Sequence, residues 1–128
     1  MNAVFRVPRN GTTLVGDSWL TDRPVITLLH ASVADRRSWF TLAAMVSDFA
    51  SVLAYDRRGF GESLPGSEQF THLEDLLAVL DQLGIERTWL IGSSAGGKLA
   101  IEAALEATDR VEGMILISPA IGSATNSR

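Results

Sequence analysis

"LIGSSAGGKLA", residues 90–100, runs an apolar segment into a glycine, two serines and the glycine-opened start of a helix. Such a run has three readings. It is a turn that holds out a nucleophile, a loop that cradles phosphate, or tight packing of small residues between a strand and a helix. Composition does not separate them, so the flanking sequence has to.

Outward from this stretch, strands and helices alternate. "TWLIG" belongs to a buried strand over 87–92, and a helix follows over 95–107. "PVITLLH", 24–30, is apolar, β-branched and bounded by Pro24, and "SVLAYD", 51–56, is similar; both read as strands covered on both faces. "SWFTLAAMVSDFA" spaces Trp39, Leu42, Ala43, Val46 and Phe49 at helical intervals, which predicts a helix over 38–49 capped by Ser38. "THLEDLLAVLDQLG" joins a Thr71–Glu74 capping box to a leucine stripe and stops at Gly84, which predicts a helix over 72–83. "GMILIS", 113–118, is a fourth buried strand. At the other end, two alternating segments flank Asn10-Gly11 and read as a hairpin over 3–19. Together these predict one α/β domain, a three-layer sandwich with a mostly parallel sheet and helices on both faces.

Composition removes several functions. A chain of 128 residues with 46% hydrophobic and 20% charged residues is an ordinary globular composition. Its net charge of −4 and the lack of any basic cluster beyond Arg36-Arg37 and Arg57-Arg58 argue against nucleic acid. There is no cysteine, so disulfides, thiol nucleophiles and zinc–thiolate sites are excluded. No metal or cofactor is expected. The apolar runs are too short to span a membrane and no secretory signal is visible, so a cytoplasmic protein is the expectation.

The opening stretch now has a context. Gly92 to Gly96 spells G-x-S-x-G between a strand and a helix. A serine on that sharp turn has its hydroxyl held out at the carboxyl end of the sheet. The flanking glycines permit a strained backbone and a close helix–strand approach. The helix's first turn aims N–H groups at the place where an oxyanion would develop. Two further features precede it in the chain: His30-Ala31 at the end of a strand, and "DRRGFGES" from Asp56 to Ser63 after the next.

In these three motifs and their order, from about Val4 to Ala120, the chain resembles the α/β-hydrolase superfamily, in its esterase, lipase and perhydrolase-like branch. The resemblance implies a serine hydrolase acting on small esters or acyl compounds, with Ser94 as nucleophile. It implies an oxyanion hole built from the backbone N–H groups of Ala95 and Ser32, and elbow glycines at Gly92 and Gly96. Trp39 and Ser93 are candidates for the pocket, and Trp39 reads equally as core. One departure is Ala31 where the family has glycine; if that position needs a positive φ, alanine strains the loop. His30 reads as a buried hydrogen-bonding residue and His72 as a solvated one. Asp56, Arg57, Arg58 and Ser63 read as braces for their loop.

The triad is incomplete. A serine needs an adjacent base, and in this family acid and histidine follow the serine in the chain. No histidine follows Ser94, and the acids Glu102, Glu106, Asp109 and Glu112 lie on the next helix or its connection. The chain therefore reads as the amino-terminal half of such a fold, whether as a fragment, an early-ended gene product or a genuinely short protein. Two alternatives stand beside the enzyme. One is an inert hydrolase-like domain that binds a ligand or partner. The other is a P-loop, since Gly92, Gly97 and Lys98 nearly spell G-x-x-x-x-G-K-[ST]. Leu99 stands where the magnesium-binding hydroxyl would be. Finally, 113–118 would be an open, apolar sheet edge, which predicts a homo-oligomer formed through that strand unless the tail 119–128 folds back over it.

Overall fold

The computed structural model describes residues 2–118. Strands β1 (Ala3–Arg9) and β2 (Thr12–Trp19) form the hairpin, turned at Gly11 with φ 77°. There follow β3 (Val25–Leu29), a 3-10 turn (Arg36–Trp39), α1 (Phe40–Val46), β4 (Ser51–Tyr55) and α2 (His72–Gln82). The described chain closes with β5 (Thr88–Ser93), α3 (Ala95–Glu106), a second 3-10 turn (Thr108–Arg110) and β6 (Val111–Ile117).

All six strands form one sheet in the order β1-β2-β4-β3-β5-β6. The β4–β3, β3–β5 and β5–β6 pairings are parallel, whereas the hairpin joins antiparallel at the β1 side. Side chains along a strand alternate between faces, and β4 shows why its sequence is apolar throughout. Leu53 and Tyr55 enter the core beneath α2 and α3, together with Leu29, Leu76, Leu90 and Leu99. Val52 and Ala54 enter the opposite core with Leu28, Trp39 and Ala43 of α1. Helices thus cover both faces, and the carboxyl ends of the parallel strands are left to carry the loops.

Two expectations need correction. The helix expected over 38–49 is instead the 3-10 turn 36–39 followed by α1, which stops at Val46. Ser38 is not its cap: Asp35 takes that place by accepting from the Arg37 N–H at 2.9 Å, while the Ser38 hydroxyl donates to the Asp35 carbonyl. The chain must turn early to enter β4, with the Phe49 and Ala50 N–H groups donating to the Val46 carbonyl, and Phe49 is left 72% exposed. The strand over 113–118, expected as an open apolar edge, is β6, the outermost strand of the described sheet. Ile115 is 58% and Ile117 46% exposed, because nothing among the described residues pairs with its outer side. The tail 119–128 lies outside the described residues.

Candidate active site

Between β5 and α3 the backbone makes an abrupt reversal at Ser94, which has φ 55° and ψ −116°. Among the described residues only Ser94 and Ser118 combine a side chain with a positive φ. That conformation costs on the order of 1–3 kcal/mol and persists only where surroundings over-determine it. Here they do. The Ser94 N–H donates to the Ile117 carbonyl at 2.9 Å, and its own carbonyl accepts the Lys98 N–H at 3.1 Å as the first bond of α3.

The two glycines flanking the turn are required by space. A Cβ on Gly92 would overlap the Gly96 carbonyl oxygen, and one on Gly96 would overlap the Leu29 carbonyl oxygen. Residues 92–96 are therefore pressed against the end of β3, where His30, Ala31 and Ser32 leave the sheet. Ala31 carries no positive φ, so its place in that loop is unstrained.

Beside this junction lies a cleft of about 370 Å³ lined by Ser32, Arg57, Phe60, His72, Ala95 and Lys98, among others. Ser32 and Ala95 thus share one cleft although 63 positions separate them (95 − 32). Ser93 ends β5 opposite Ile117 and is half-buried. It is not among the cleft's lining residues, and neither are Trp39 and Ser94, although Ser94 directly precedes the lining residue Ala95. Trp39 is 8% exposed in the core beneath α1, on the face away from α2 and α3, so its packing places it in the core. Leu99, where a P-loop would place a metal-holding hydroxyl, is buried in the core.

The cleft floor is held by His30 and the loop after β4. His30 is fully buried, its Nε2 accepts the Arg57 N–H at 3.0 Å, and its Nδ1 lies 2.7 Å from the Ala31 carbonyl oxygen. An Nε2 that accepts leaves the proton on Nδ1, which then donates to Ala31. Burial lowers the pKa of this imidazole, and both nitrogens are occupied. The Arg57 guanidinium donates twice to the His30 carbonyl, at 2.9 and 3.2 Å, and lies 4.7 Å from the centre of the Phe60 ring. Around them the loop is braced as a unit. The Asp56 carboxylate accepts the N–H groups of Arg36 and Glu62, and the Ser63 hydroxyl accepts the Val15 N–H at 2.9 Å. Arg58 forms a fork on buried Asp75 at 2.8 and 2.9 Å.

His72 differs from its solvated expectation. It is half-buried at the start of α2, 5.2 Å from the Phe70 ring and 6.5 Å from Phe60. Its Nδ1 is buried without a hydrogen-bond partner among the described residues. Burial, reinforced by the positive charge of Arg57, lowers its pKa to about 4. The local sequence announces only a helix start at this position; the aromatic wall comes from the Phe60 and Phe70 loop folding back.

A family model described as the alpha/beta hydrolase fold matches residues 24–127. The chain belongs to the alpha/beta hydrolase fold family. It is similar to a carboxylesterase of Bacillus subtilis, with 32% identity over 122 residues that cover 92% of this chain and 41% of that protein. It is also similar to an sn-1-specific diacylglycerol lipase of Mus musculus, at 35% identity, covering 91% of this chain and 38% of the relative. Among solved structures, the naproxen esterase of Bacillus subtilis superposes with a TM-score of 0.85 at 27% identity, covering 94% of this chain and 44% of the esterase. The chain spans about two-fifths of the length of these curated relatives. No described helix is long and apolar enough to cross a membrane.

Proposed function

We propose that this protein is a serine hydrolase of small esters or similar acyl compounds, with Ser94 as nucleophile. The observation that carries the reading is the backbone of Ser94 at φ 55° and ψ −116°, a strained state at a strand–helix turn in a chain of this family. The carboxylesterase and lipase among its relatives support an acyl substrate.

In this reading the Ser94 hydroxyl attacks the acyl carbon and the carbonyl oxygen becomes an oxyanion. The backbone N–H groups of Ala95 and Ser32 receive it, aided by the positive end of the α3 dipole. Each such donor is worth about 3–4 kcal/mol of transition-state stabilisation. The leaving group departs with the proton given up by the Ser94 hydroxyl as the carbonyl re-forms. Water then attacks the acyl carbon, one of its protons returns to the Ser94 oxygen, and the acyl group leaves as the acid. Neither histidine of the chain suits the role of general base. His30 has both ring nitrogens occupied, and His72, at a pKa of about 4, is a weak base. The reading therefore draws its acid and histidine from outside these residues, and the 128-residue chain alone should turn over slowly. Positioning and the oxyanion hole without a base leave about 10³–10⁴-fold over water in a triad enzyme.

Reaction with a fluorophosphonate probe tests the assignment. Labelling that disappears in Ser94→Ala supports it. A folded chain that takes up no probe would overturn it in favour of an inert domain that only binds. Ester turnover at ordinary enzyme rates by the isolated chain would instead show that His72 or another group supplies a base.

A further inference from the structure

Arg57 is only 2% exposed, yet among the described residues no carboxylate lies within ion-pair distance of it. Its neighbours in sequence show the contrast. Arg58 is forked onto Asp75, and Arg36 is shared among Asp17, Asp56 and Glu62. Arg57 has five N–H donors to place. Nε and Nη2 donate to a single neutral acceptor, the His30 carbonyl, and the ring face of Phe60 lies beside the guanidinium carbon. A buried cation without a counter-charge is costly, and burial lowers the Arg57 pKa accordingly.

The uncompensated charge faces a ligand space. Arg57 lines the same cleft as Ser32 and Ala95, with the exposed Lys98 and the half-buried Glu102 on its α3 wall. Two cations stand against one carboxylate there. The cleft also holds His72, whose Nδ1 is buried and unpartnered among the described residues. Clefts of one sign and low-dielectric walls concentrate oppositely charged solutes.

We propose that this cleft selects acyl compounds that carry a carboxylate, with the Arg57 guanidinium as the group that pairs with it beside the reacting acyl carbon. The inference rests on the Ser94 reading for the word acyl, but the carboxylate site itself does not. A carboxylate here would give a buried cation, held only by the His30 carbonyl and the Phe60 ring, the counter-charge it lacks among the described residues. A neutral ester of the same length would leave that cation unpaired.

The test compares glutaramate, which has one carboxylate and one amide, with its uncharged counterpart glutaramide. Glutaramate should slow labelling of Ser94 by a neutral alkyl fluorophosphonate about tenfold more than equimolar glutaramide, the worth of one charge-assisted contact. Arg57→Gln should erase that difference, and Arg57→Lys, which keeps the charge, should restore part of it. Equal protection by the two compounds, or a difference that survives in Arg57→Gln, would overturn the proposal. If Ser94 takes no probe, or the variants do not fold, amide chemical shifts of the wild-type chain decide. Signals of Ser32, Phe60, His72 and Ala95 that move with glutaramate and not with glutaramide support the carboxylate site; signals that stay still refute it.

Discussion

Gly96 stands so close to β3 that a side chain there would collide with the carbonyl oxygen of Leu29 and lie 2.8 Å from that of His30. The start of α3 and the end of β3 are thereby held at backbone contact. That contact brings Ala95 and Ser32 to one cleft, and it makes the turn at Ser94 rigid rather than merely sharp.

Gly96→Ala should therefore cost about 1–3 kcal/mol through overpacking and displace the Ser94 turn. Urea unfolding measures the first effect and fluorophosphonate labelling the second. Gly84→Ala is the control. Gly84 has φ +70° with open space around it, so alanine there brings backbone strain of about 1–2 kcal/mol and should leave labelling intact. Equal labelling of both variants would show that the close approach is not what sets the turn.

Asp75 ties the loop after β4 to both β1 and α2. It is fully buried and accepts from Arg58 at 2.8 and 2.9 Å and from Arg9 at 3.0 Å. Asp75→Ala should destabilise the chain by about 3–5 kcal/mol, because it leaves buried Arg58 with the Asn10 carbonyl and the Phe70 ring but no counter-charge. Replacing Arg58 and Asp75 together by apolar residues of similar volume should be milder. A double variant as unstable as Asp75→Ala in denaturant titration would argue against this cause.

Stability should fall on mild acidification. The folded pKa of His72 is lowered from 6.5 to about 4 by burial first and by Arg57, with Asp75 opposing, and that of buried His30 moves the same way. Below pH 6.5 the unfolded chain takes up protons that the folded chain refuses, so folding loses up to about 1.4 kcal/mol per pH unit through His72 as pH falls toward 4, and His30 acts in the same direction. His72→Gln should flatten part of this slope. Asp35, held by Arg37 at a pKa of about 2 against a usual 3.8, contributes only in a lower window. Unfolding free energies measured across this range would refute the assignment if wild type and His72→Gln fell in parallel.

We expect the open side of β6 to promote self-association. Its ladder groups are unpaired on one side among the described residues, and Met114, Ile115 and Ile117 are exposed, with Trp89 beside them on β5. A second copy offers the same edge, so antiparallel pairing across a two-fold axis would satisfy both at once. Light scattering at micromolar concentration should show a dimer or larger species that Ile115→Lys shifts toward monomer. A monodisperse wild-type monomer would end this idea.

Local sequence carried a large part of the fold. Apolar runs such as 24–30 and 51–56 read as strands buried on both faces, and the leucine stripe after Thr71 reads as a helix, because these patterns are set by neighbours in the chain. The limits of that information show at α1. Trp39 to Phe49 has helical spacing, yet the path into β4 ends the helix at Val46, and spacing cannot report where the next strand must begin. Gly92, Ser94 and Gly96 stood out because a sharp strand–helix turn leaves a local signature. The sequence by itself thus determined the α/β order of elements and the presence of a strained serine turn. Only the tertiary structure decided that Trp39 belongs to the core, that His72 is walled by Phe60 and Phe70, and that Arg57 lines the cleft with no carboxylate at ion-pair distance among the described residues. Burial and charge pairing are sums over residues distant in the chain, and no local pattern encodes such a sum.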